Sequence, residues 1–318
     1  MRGSTPDIDK FLIGDNPFIG VDHLSRERAR DRENRLHTQG ILEVIDTAFT
    51  SGAQGLAFTT HPRMYEVLKE MKSRSYSKAF GLYPLLPYAQ EYVRVANEKG
   101  LVGLAREILS RLSWAGRART LVGGGLSLVS PDPERILRTY VDAELDILFR
   151  NVPPGAVLKS VLLHEIVTDL AMSLGAKDLV KNYAEHITDK YHVKPGFATR
   201  NFARFVGFAK QIGLELDQIV ILTPFNAAGF QMNPSREACE RTLREVDGAN
   251  IIAMSILASG YLALEQALEY LKQRTQIRSY VVGASTRAHA RQTFSALRER
   301  MVAPSKLQII EASSRGEQ

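Results

Sequence analysis

Eight short apolar runs alternate with amphipathic stretches along the 318-residue chain, and this alternation restricts the fold more than any other feature. The runs are continuously apolar, as expected for parallel strands that are buried on both faces. We therefore predict strands over the segments FLIG (11–14), GLAF (55–58), KAFGLY (78–83), SVLLH (160–164), PGFAT (195–199), QIVILT (218–223), NIIAMS (250–255) and SYVVGA (279–284).

Helical spacing of apolar residues is found between these strands. It predicts helices over residues 39–51, 63–74, 132–149, 169–190, 202–213, 234–246, 259–274 and 287–300. Eight strand–helix units in a chain of this length predict one (β/α)8 TIM-barrel domain over residues 1–318. Residues 89–130, between the third and fourth strands, form a predicted helical insertion that could act as a lid at the carboxyl-terminal face.

An open doubly wound sheet is the alternative, with TLVGGG (120–125) as a ninth strand. Its adjacent glycines, Gly123 to Gly125, lack the spacing of a dinucleotide-binding loop that leads directly into a helix. The glycine pattern therefore favours the barrel.

Composition and charge exclude several classes of protein. No apolar run approaches the roughly 18 residues of a membrane span, and the N-terminus lacks the apolar core of a signal peptide. The single cysteine, Cys239, excludes an internal disulfide and a Cys-rich zinc site, so we expect a cytoplasmic protein without a membrane partner. The net charge is +6, but the basic residues are interleaved with acidic ones. They do not form the clustered basic stripe that is typical of a nucleic-acid-binding protein. A modest positive field would favour an anionic small-molecule ligand.

In TIM barrels the residues that follow the carboxyl ends of the strands form the active site. The predicted strand ends place a ring of polar side chains there, as a small-molecule site requires. Its members are Asp15, Asn16, Thr59, Thr60, His61, Tyr83, His164, Glu165, Thr199, Arg200, Asn201, Thr223, Asn226, Ser255, Ser285 and Arg287.

Seven segments resemble, in order, those of the aldo-keto reductase superfamily. They are LIGDNPFIG (12–20), ILEVIDTAFTSGAQGLAFTTHPRMYEVLKEM (41–71), VLLHEIVTD (161–169), KPGFATRN (194–201), LTPFNAAGFQMNP (222–234), IIAMSILASGYL (251–262) and VVGASTRAHARQTFSAL (281–297). The resemblance is to a divergent member. It implies a TIM barrel and an NAD(P)(H)-dependent oxidoreductase that acts on a small carbonyl or alcohol substrate.

Members of that superfamily use a Tyr as general acid, a Lys and an Asp that tune it, and a His that orients the substrate carbonyl. A phenol with a pKa near 10 needs such neighbours to release a proton at neutral pH. In this chain the Asp position falls on Ala57, the Tyr position on Pro62 and the Lys position near Tyr83, whereas His164 matches. The resemblance therefore implies a non-standard active site, for which the catalytic candidates are His164, Glu165, His61 and Tyr83.

The cofactor half of the resemblance implies NADP or NAD. Amides at the start of the last helix would bind a phosphate, because helix N-termini favour anions. Met254 stands where the superfamily has an aromatic residue against the nicotinamide. The complete set of cofactor-binding candidates is Asn201, Thr223, Met254, Ser255, Gly283, Ser285, Thr286, Arg287 and Arg291.

Three other functions remain open at this point. A lyase or isomerase would use His164 and Glu165 for proton transfer on a phosphorylated or carboxylated small molecule. A non-catalytic ligand-binding barrel would explain the altered catalytic residues. A metal-assisted hydrolase would need ligands such as His164 and Glu165, but no His-x-His or His-Glu-x-x-His spacing supports it, so we expect no metal.

Overall fold

The computed structural model of the chain describes residues 8–20, 37–74, 76, 78–87 and 133–301. The predicted insertion at 89–130 lies outside these residues. The strands are β1 (Phe11–Gly14), β2 (Gly55–Thr59), β3 (Phe80–Leu86), β4 (Ala156–Leu158), β5 (Ser160–Leu163), β6 (Lys194–Ala198), β7 (Val220–Pro224), β8 (Asn250–Met254) and β9 (Ile277–Gly283).

Helices follow most of the strands. They are α1 (Thr38–Ser51), α2 (Pro62–Met71), α3 (Pro133–Asn151), α4 (Glu165–Leu174), α5 (Lys177–Tyr191), α6 (Phe202–Gln211), α7 (Arg236–Glu245), α8 (Leu264–Lys272) and α9 (Arg287–Met301). A short 3-10 turn, Ala258–Gly260, precedes α8.

All of the strand pairings are parallel, and the sheet closes on itself. The order is β2-β1-β9-β8-β7-β6-β5-β3-β4, and a further β2–β3 pairing completes the ring. The first half of β3 pairs with β4 and its end pairs with β5, so these two short strands form one stave of the barrel. The predicted eight-stranded TIM barrel is therefore confirmed, and the open doubly wound sheet is excluded.

The third strand differs from its prediction, because it continues through Pro84 to Leu86 and does not end at Tyr83. Proline cannot donate a hydrogen bond and normally ends a central strand. Here Pro84 pairs with Phe58 of β2, but it lies where the pairing on the other side of β3 changes from β4 to β5, and it pairs with neither of these two strands. The break in the fourth stave therefore accommodates the proline, and Tyr83 lies inside the strand.

The apolar side chains form two layers. The inner layer fills the barrel and includes Leu12, Ala57, Tyr83, Leu162 and Ala198. The outer and larger layer lies between the strands and the helices. This division explains the continuous apolar runs, since alternate side chains of each strand enter the two layers.

One predicted helix is divided in the structure. The prediction of a single helix over 169–190 was wrong, because α4 ends at Leu174 and α5 begins at Lys177. Gly175 ends α4 in the left-handed conformation, with φ of 66°. Glycine adopts this conformation without steric cost and is therefore common immediately after a helix.

Two glycines provide a matched test of packing in the barrel. A Cβ on Gly81 would overlap the Asp9 carboxylate and lie 2.9 Å from Lys159 Cγ, whereas a Cβ on Gly207, in α6, would meet no atom within 4 Å. We expect Gly81→Ala to lower the free energy of unfolding by about 1–3 kcal/mol through overpacking. Gly207→Ala should raise it by about 0.5–1 kcal/mol through helix propensity. Denaturant unfolding measures both, and equal effects of the two variants would contradict the packing described here.

Candidate functional site at the carboxyl-terminal mouth

The end of β5 and the end of β6 bring a histidine and an arginine to the mouth of the barrel. Leu162 and Ala198 belong to the barrel interior. His164 and Arg200 each follow two residues later, so the alternation of side chains directs both toward the interior. The β5 and β6 strands pair directly, with Leu162 opposite Gly196. Their carboxyl ends therefore place these two side chains on neighbouring staves.

Glu165 connects these two side chains. Its Oε2 lies 3.3 Å from His164 Nδ1, and its Oε1 accepts a hydrogen bond from Arg200 Nη2 at 3.0 Å. The side chains of His164 and Glu165 are largely buried, at 17% and 14% exposure, whereas that of Arg200 is 36% exposed. The guanidinium is therefore held by Glu165 through Nη2, while about a third of the arginine side chain remains exposed.

Asp169 fixes this group from behind. Thr199 Oγ1 donates a hydrogen bond to Asp169 Oδ1, and the backbone amide of Arg200 donates to Asp169 Oδ2 at 3.1 Å. Burial raises the pKa of the Asp169 carboxyl, and these two hydrogen bonds oppose the rise. Asp169 thus joins α4 to the end of β6, and we call the set His164, Glu165, Asp169, Thr199 and Arg200 the β5–β6 cluster.

The start of α4 determines which nitrogen of His164 carries a proton. His164 is the N-cap residue, and its Nδ1 accepts a hydrogen bond from the Ile166 amide at 3.2 Å. Burial lowers the pKa of the His164 imidazole, and Arg200 lowers it further, although Glu165 acts in the opposite direction. A neutral ring whose Nδ1 accepts a hydrogen bond carries its proton on Nε2. His164 can therefore donate a hydrogen bond from Nε2.

His61 adopts the same arrangement after β2. It is the N-cap residue of α2, and its Nδ1 accepts a hydrogen bond from the Arg63 amide at 3.0 Å. Pro62 occupies the first turn of the helix, where a missing amide proton has no cost. The sequence TTHP thus begins a helix, and Nδ1 of the His61 ring provides its capping hydrogen bond.

Asp15 is a buried acid at the end of β1. Its Oδ2 accepts a hydrogen bond from the Thr59 amide at 2.8 Å, and the residue is only 5% exposed. Burial raises the pKa of this carboxyl to about 7, and the hydrogen bonds with Thr59 limit the rise. Such a group holds its proton in the neutral pH range, where general acids operate. Asn16 follows Asp15 at the same end of the strand.

Tyr83 is placed away from the other candidates. Its hydroxyl donates a hydrogen bond to Asp9 Oδ2 at 2.9 Å and accepts one from the Asp9 amide at 2.7 Å. Asp9 precedes β1, at the amino-terminal end of the barrel. The phenol therefore points away from the mouth. Tyr83 lies inside β3 and not at its carboxyl end, since the strand continues to Leu86.

The remaining strand ends contribute polar groups of two kinds. Thr60 and Thr223 are buried, and neither hydroxyl has a hydrogen-bond partner among the residues that the structure describes. Asn226 and Asn201 have structural partners. Asn226 exchanges two hydrogen bonds with the backbone of Phe230, and Asn201 accepts one from the amide of Arg204 at the start of α6.

The structure also adds a residue that the sequence did not indicate. Ser255 Oγ lies 3.5 Å from Gln231 Oε1, across the loops that follow β8 and β7. Both residues have positive φ, 54° for Ser255 and 60° for Gln231, although neither is a glycine. Left-handed backbone at such residues costs energy and is concentrated at functional sites. No sequence signal predicted Gln231. Asp169, in contrast, lies within the VLLHEIVTD segment, although it is not among the predicted site residues.

The predicted phosphate-binding residues lie at the start of α9. Thr286 caps this helix, since its Oγ1 accepts a hydrogen bond from the His289 amide at 3.2 Å. Arg287 and Arg291 are exposed and lie one helical turn apart, and Arg287 is 3.7 Å from the half-exposed Glu43 carboxylate. Gly283 ends β9, and Ser285 is half-buried between it and the helix. The side chain of Met254 packs against the inner layer of the barrel.

No group of three His, Cys, Asp or Glu side chains in the described ranges could hold a metal ion. Within the same part of the chain, every helix is too short or too polar to cross a membrane.

In overall shape the chain is similar to several solved structures. A proposed aldo-keto reductase from Pseudomonas aeruginosa aligns with a TM-score of 0.59 and 13% identity over 95% of each chain. The glycerol dehydrogenase from Gluconobacter oxydans aligns with a TM-score of 0.50 and 11% identity, over 98% of this chain and 93% of that chain. An aldo-keto reductase from a deep-sea metagenome library gives a TM-score of 0.50 and 10% identity over 88% of each chain. No protein-family model and no curated protein matches the sequence.

These similarities define the class of fold. The chain has a (β/α)8 barrel that is similar in fold to those of solved aldo-keto reductases, as the resemblance of its seven segments implies for the fold. Identities of 10–13% establish the shape only, so the activity must be argued from the side chains at the mouth.

The buried Asp15 predicts a specific pH dependence of stability. Folding raises its pKa from 3.8 to about 7. As the pH rises from about 4 to about 7, the unfolded chain releases this proton while the folded chain retains it, so the free energy of unfolding decreases. Asp15→Asn keeps an oxygen that can accept the hydrogen bond from Thr59 but cannot ionise. We expect the melting temperature of Asp15→Asn, relative to wild type, to rise across this interval.

A series of thermal unfolding measurements from pH 4 to pH 8 tests this prediction. Asp178→Asn removes an exposed carboxylate at the start of α5 and is the matched control. A difference between Asp15→Asn and wild type that stays constant across the series would show that the carboxyl is not buried in its protonated form.

Proposed function

We propose that the chain is an oxidoreductase that uses NADP or NAD and acts on a small carbonyl or alcohol compound at the mouth of the barrel. The observation that carries this proposal is His164. Its position matches the carbonyl-orienting histidine of the aldo-keto reductase resemblance, and its capping bond to Ile166 leaves the proton on Nε2. A neutral imidazole N–H at this point could donate a hydrogen bond to a substrate oxygen.

The residues at the mouth fit a nicotinamide dinucleotide. The α9 helix has 15 residues, so its first amides and its macrodipole favour a phosphate group. Arg287 and Arg291 add two accessible positive charges on one side of this terminus. Met254 offers a soft apolar surface at the end of β8, against which an aromatic ring could pack. When bound, the cofactor would supply or accept the hydride.

Carbonyl reduction also needs a proton for the substrate oxygen. Ala57 and Pro62 replace the Asp and Tyr of the resemblance, and the hydroxyl of Tyr83 faces the other end of the barrel. We assign this role to Asp15, because its pKa of about 7 leaves part of the carboxyl population protonated at neutral pH. His61, on the neighbouring stave, is the second group with suitable chemistry.

Cofactor binding is the first test of the proposal. Calorimetric titration with NADPH and NADH should show saturable binding, and replacing Arg287 and Arg291 by Ala should weaken it by about tenfold or more, since each removes a charge-assisted contact. Arg278→Ala, at the amino-terminal end of β9, changes the charge in the same way and should leave binding unchanged. Absence of binding at millimolar concentrations of either cofactor would overturn the proposal.

A second candidate function is favoured by the contact between His164 and Glu165. Two titratable groups 3.3 Å apart beside an arginine could transfer a proton on an anionic substrate, as a lyase or isomerase requires. This function needs no nicotinamide. Turnover of an anionic substrate without the cofactor, abolished by His164→Gln, would favour it over the oxidoreductase.

A further inference from the structure

We propose that Arg200 binds a carboxylate group of the substrate, next to the carbonyl at His164, so that the substrate class is the 2-oxo acids or the corresponding 2-hydroxy acids. The carboxylate site is argued from Arg200 alone. The identity of the neighbouring group as a carbonyl rests on the proposed function.

The backbone of Arg200 is fixed on both sides. Its amide donates a hydrogen bond to Asp169 Oδ2 at 3.1 Å, and its carbonyl oxygen accepts one from the Asn233 amide at 2.9 Å. Glu165 then holds the guanidinium through one nitrogen. The arginine therefore approaches the mouth from a defined position, which is the condition for directional recognition of a planar anion.

The guanidinium has donors that the described residues do not use. Its one hydrogen bond within this part of the chain goes from Nη2 to Glu165, and Nε is buried without a partner. An unpaired buried donor is unfavourable because it has lost its hydration. The side chain is 36% exposed, so its remaining Nη donors could donate hydrogen bonds to a ligand carboxylate.

The neighbouring amides favour a carboxylate over a phosphate. Phosphate sites in proteins commonly use several backbone amides in addition to a cation. Near Arg200 these amides already have side-chain acceptors. The amide of Ile166 donates to His164, that of Asn201 donates to Thr199, and that of Arg204 donates to Asn201. The donors that remain are the side chains of His164 and Arg200, on two adjacent staves. This arrangement suits a ligand that has a carbonyl and a carboxylate on adjacent carbons.

Glu165 opposes anion binding, because its negative charge lies directly against Arg200. A Gln at this position could still accept the hydrogen bond from Nη2 while removing that charge. We therefore expect Glu165→Gln to bind a carboxylate more tightly than wild type does. A purely structural ion pair between Arg200 and Glu165 would give no such gain.

The experiment measures the binding of pyruvate and longer 2-oxo acids to the full chain without cofactor, by calorimetry or ligand-observed NMR. The corresponding neutral 2-oxo amides and inorganic phosphate serve as comparison probes. We expect the acids to bind at least about tenfold more tightly than the amides and more tightly than phosphate. Arg200→Gln should lose about tenfold or more in affinity for the acids, and Glu165→Gln should gain affinity.

Two further variants keep the test decisive. Arg200→Lys retains the charge without the planar fork and should bind with intermediate affinity, and it replaces Arg200→Gln if that variant does not fold. Arg204→Gln changes an exposed arginine on α6 and should bind like wild type. Equal affinity for acids and amides, a preference for phosphate, or undiminished acid binding by the folded Arg200 variants would overturn the inference.

The outcome is separate from that of the cofactor test. Arg200-dependent binding of 2-oxo acids by a chain that binds neither NADPH nor NADH would retain the carboxylate site and reject the oxidoreductase. Cofactor binding without binding of 2-oxo acids at millimolar concentrations would retain the oxidoreductase and reject the carboxylate site.

Discussion

Closure of the parallel sheet is the constraint on which every candidate functional group depends. The β2–β3 pairing extends from Gly55 opposite Gly81 to Thr59 opposite Leu85, and it completes a ring in which all strands point the same way. The carboxyl ends of the strands therefore meet at one mouth. Without this closure, the acid after β1 and the histidine after β5 would lie at separate places along an open sheet.

Local folding and site chemistry use the same atoms at the mouth. Two histidines, His61 and His164, each accept a backbone hydrogen bond at Nδ1 to start a helix. The requirement of the helix for a cap therefore determines the tautomer of the ring. Asp169 and Thr199 act similarly, because bonds that join α4 to β6 also hold Arg200 in place. A substitution at any of these positions would change both stability and chemistry.

The fold was largely predictable because its signal is repeated and local. Continuous apolar runs identify strands that are buried on both faces, and their boundaries agree with the structure to within three residues. The exceptions have identifiable causes. Pro84 suggested a strand end, but it lies where pairing changes from β4 to β5, and this change depends on another part of the chain. Gly175 lies within a long helical pattern, and its left-handed conformation divides that pattern into two helices.

The position of the site at the strand ends was predictable, but the contacts between its side chains were less so. The rule that strand ends line the mouth selected His164, Glu165 and Arg200, and the structure brings these three together. The same rule selected Tyr83, whose hydroxyl instead contacts Asp9 at the opposite end of the barrel. Gln231 had no sequence signal, since its positive φ and its position beside Ser255 arise from loops that meet only in the folded chain.

The sequence by itself determined the order of strands and helices, the closed barrel that this order favours, and the residue types available at each strand end. These properties follow from hydrophobic periodicity and turn chemistry, which act between residues that are near in the chain. Only the tertiary structure decided which of those side chains share hydrogen bonds, which are buried enough to change their pKa, and which end of the barrel each one faces. Such properties depend on contacts between distant segments, because desolvation and hydrogen bonding act over a few ångströms in space and are independent of separation along the chain.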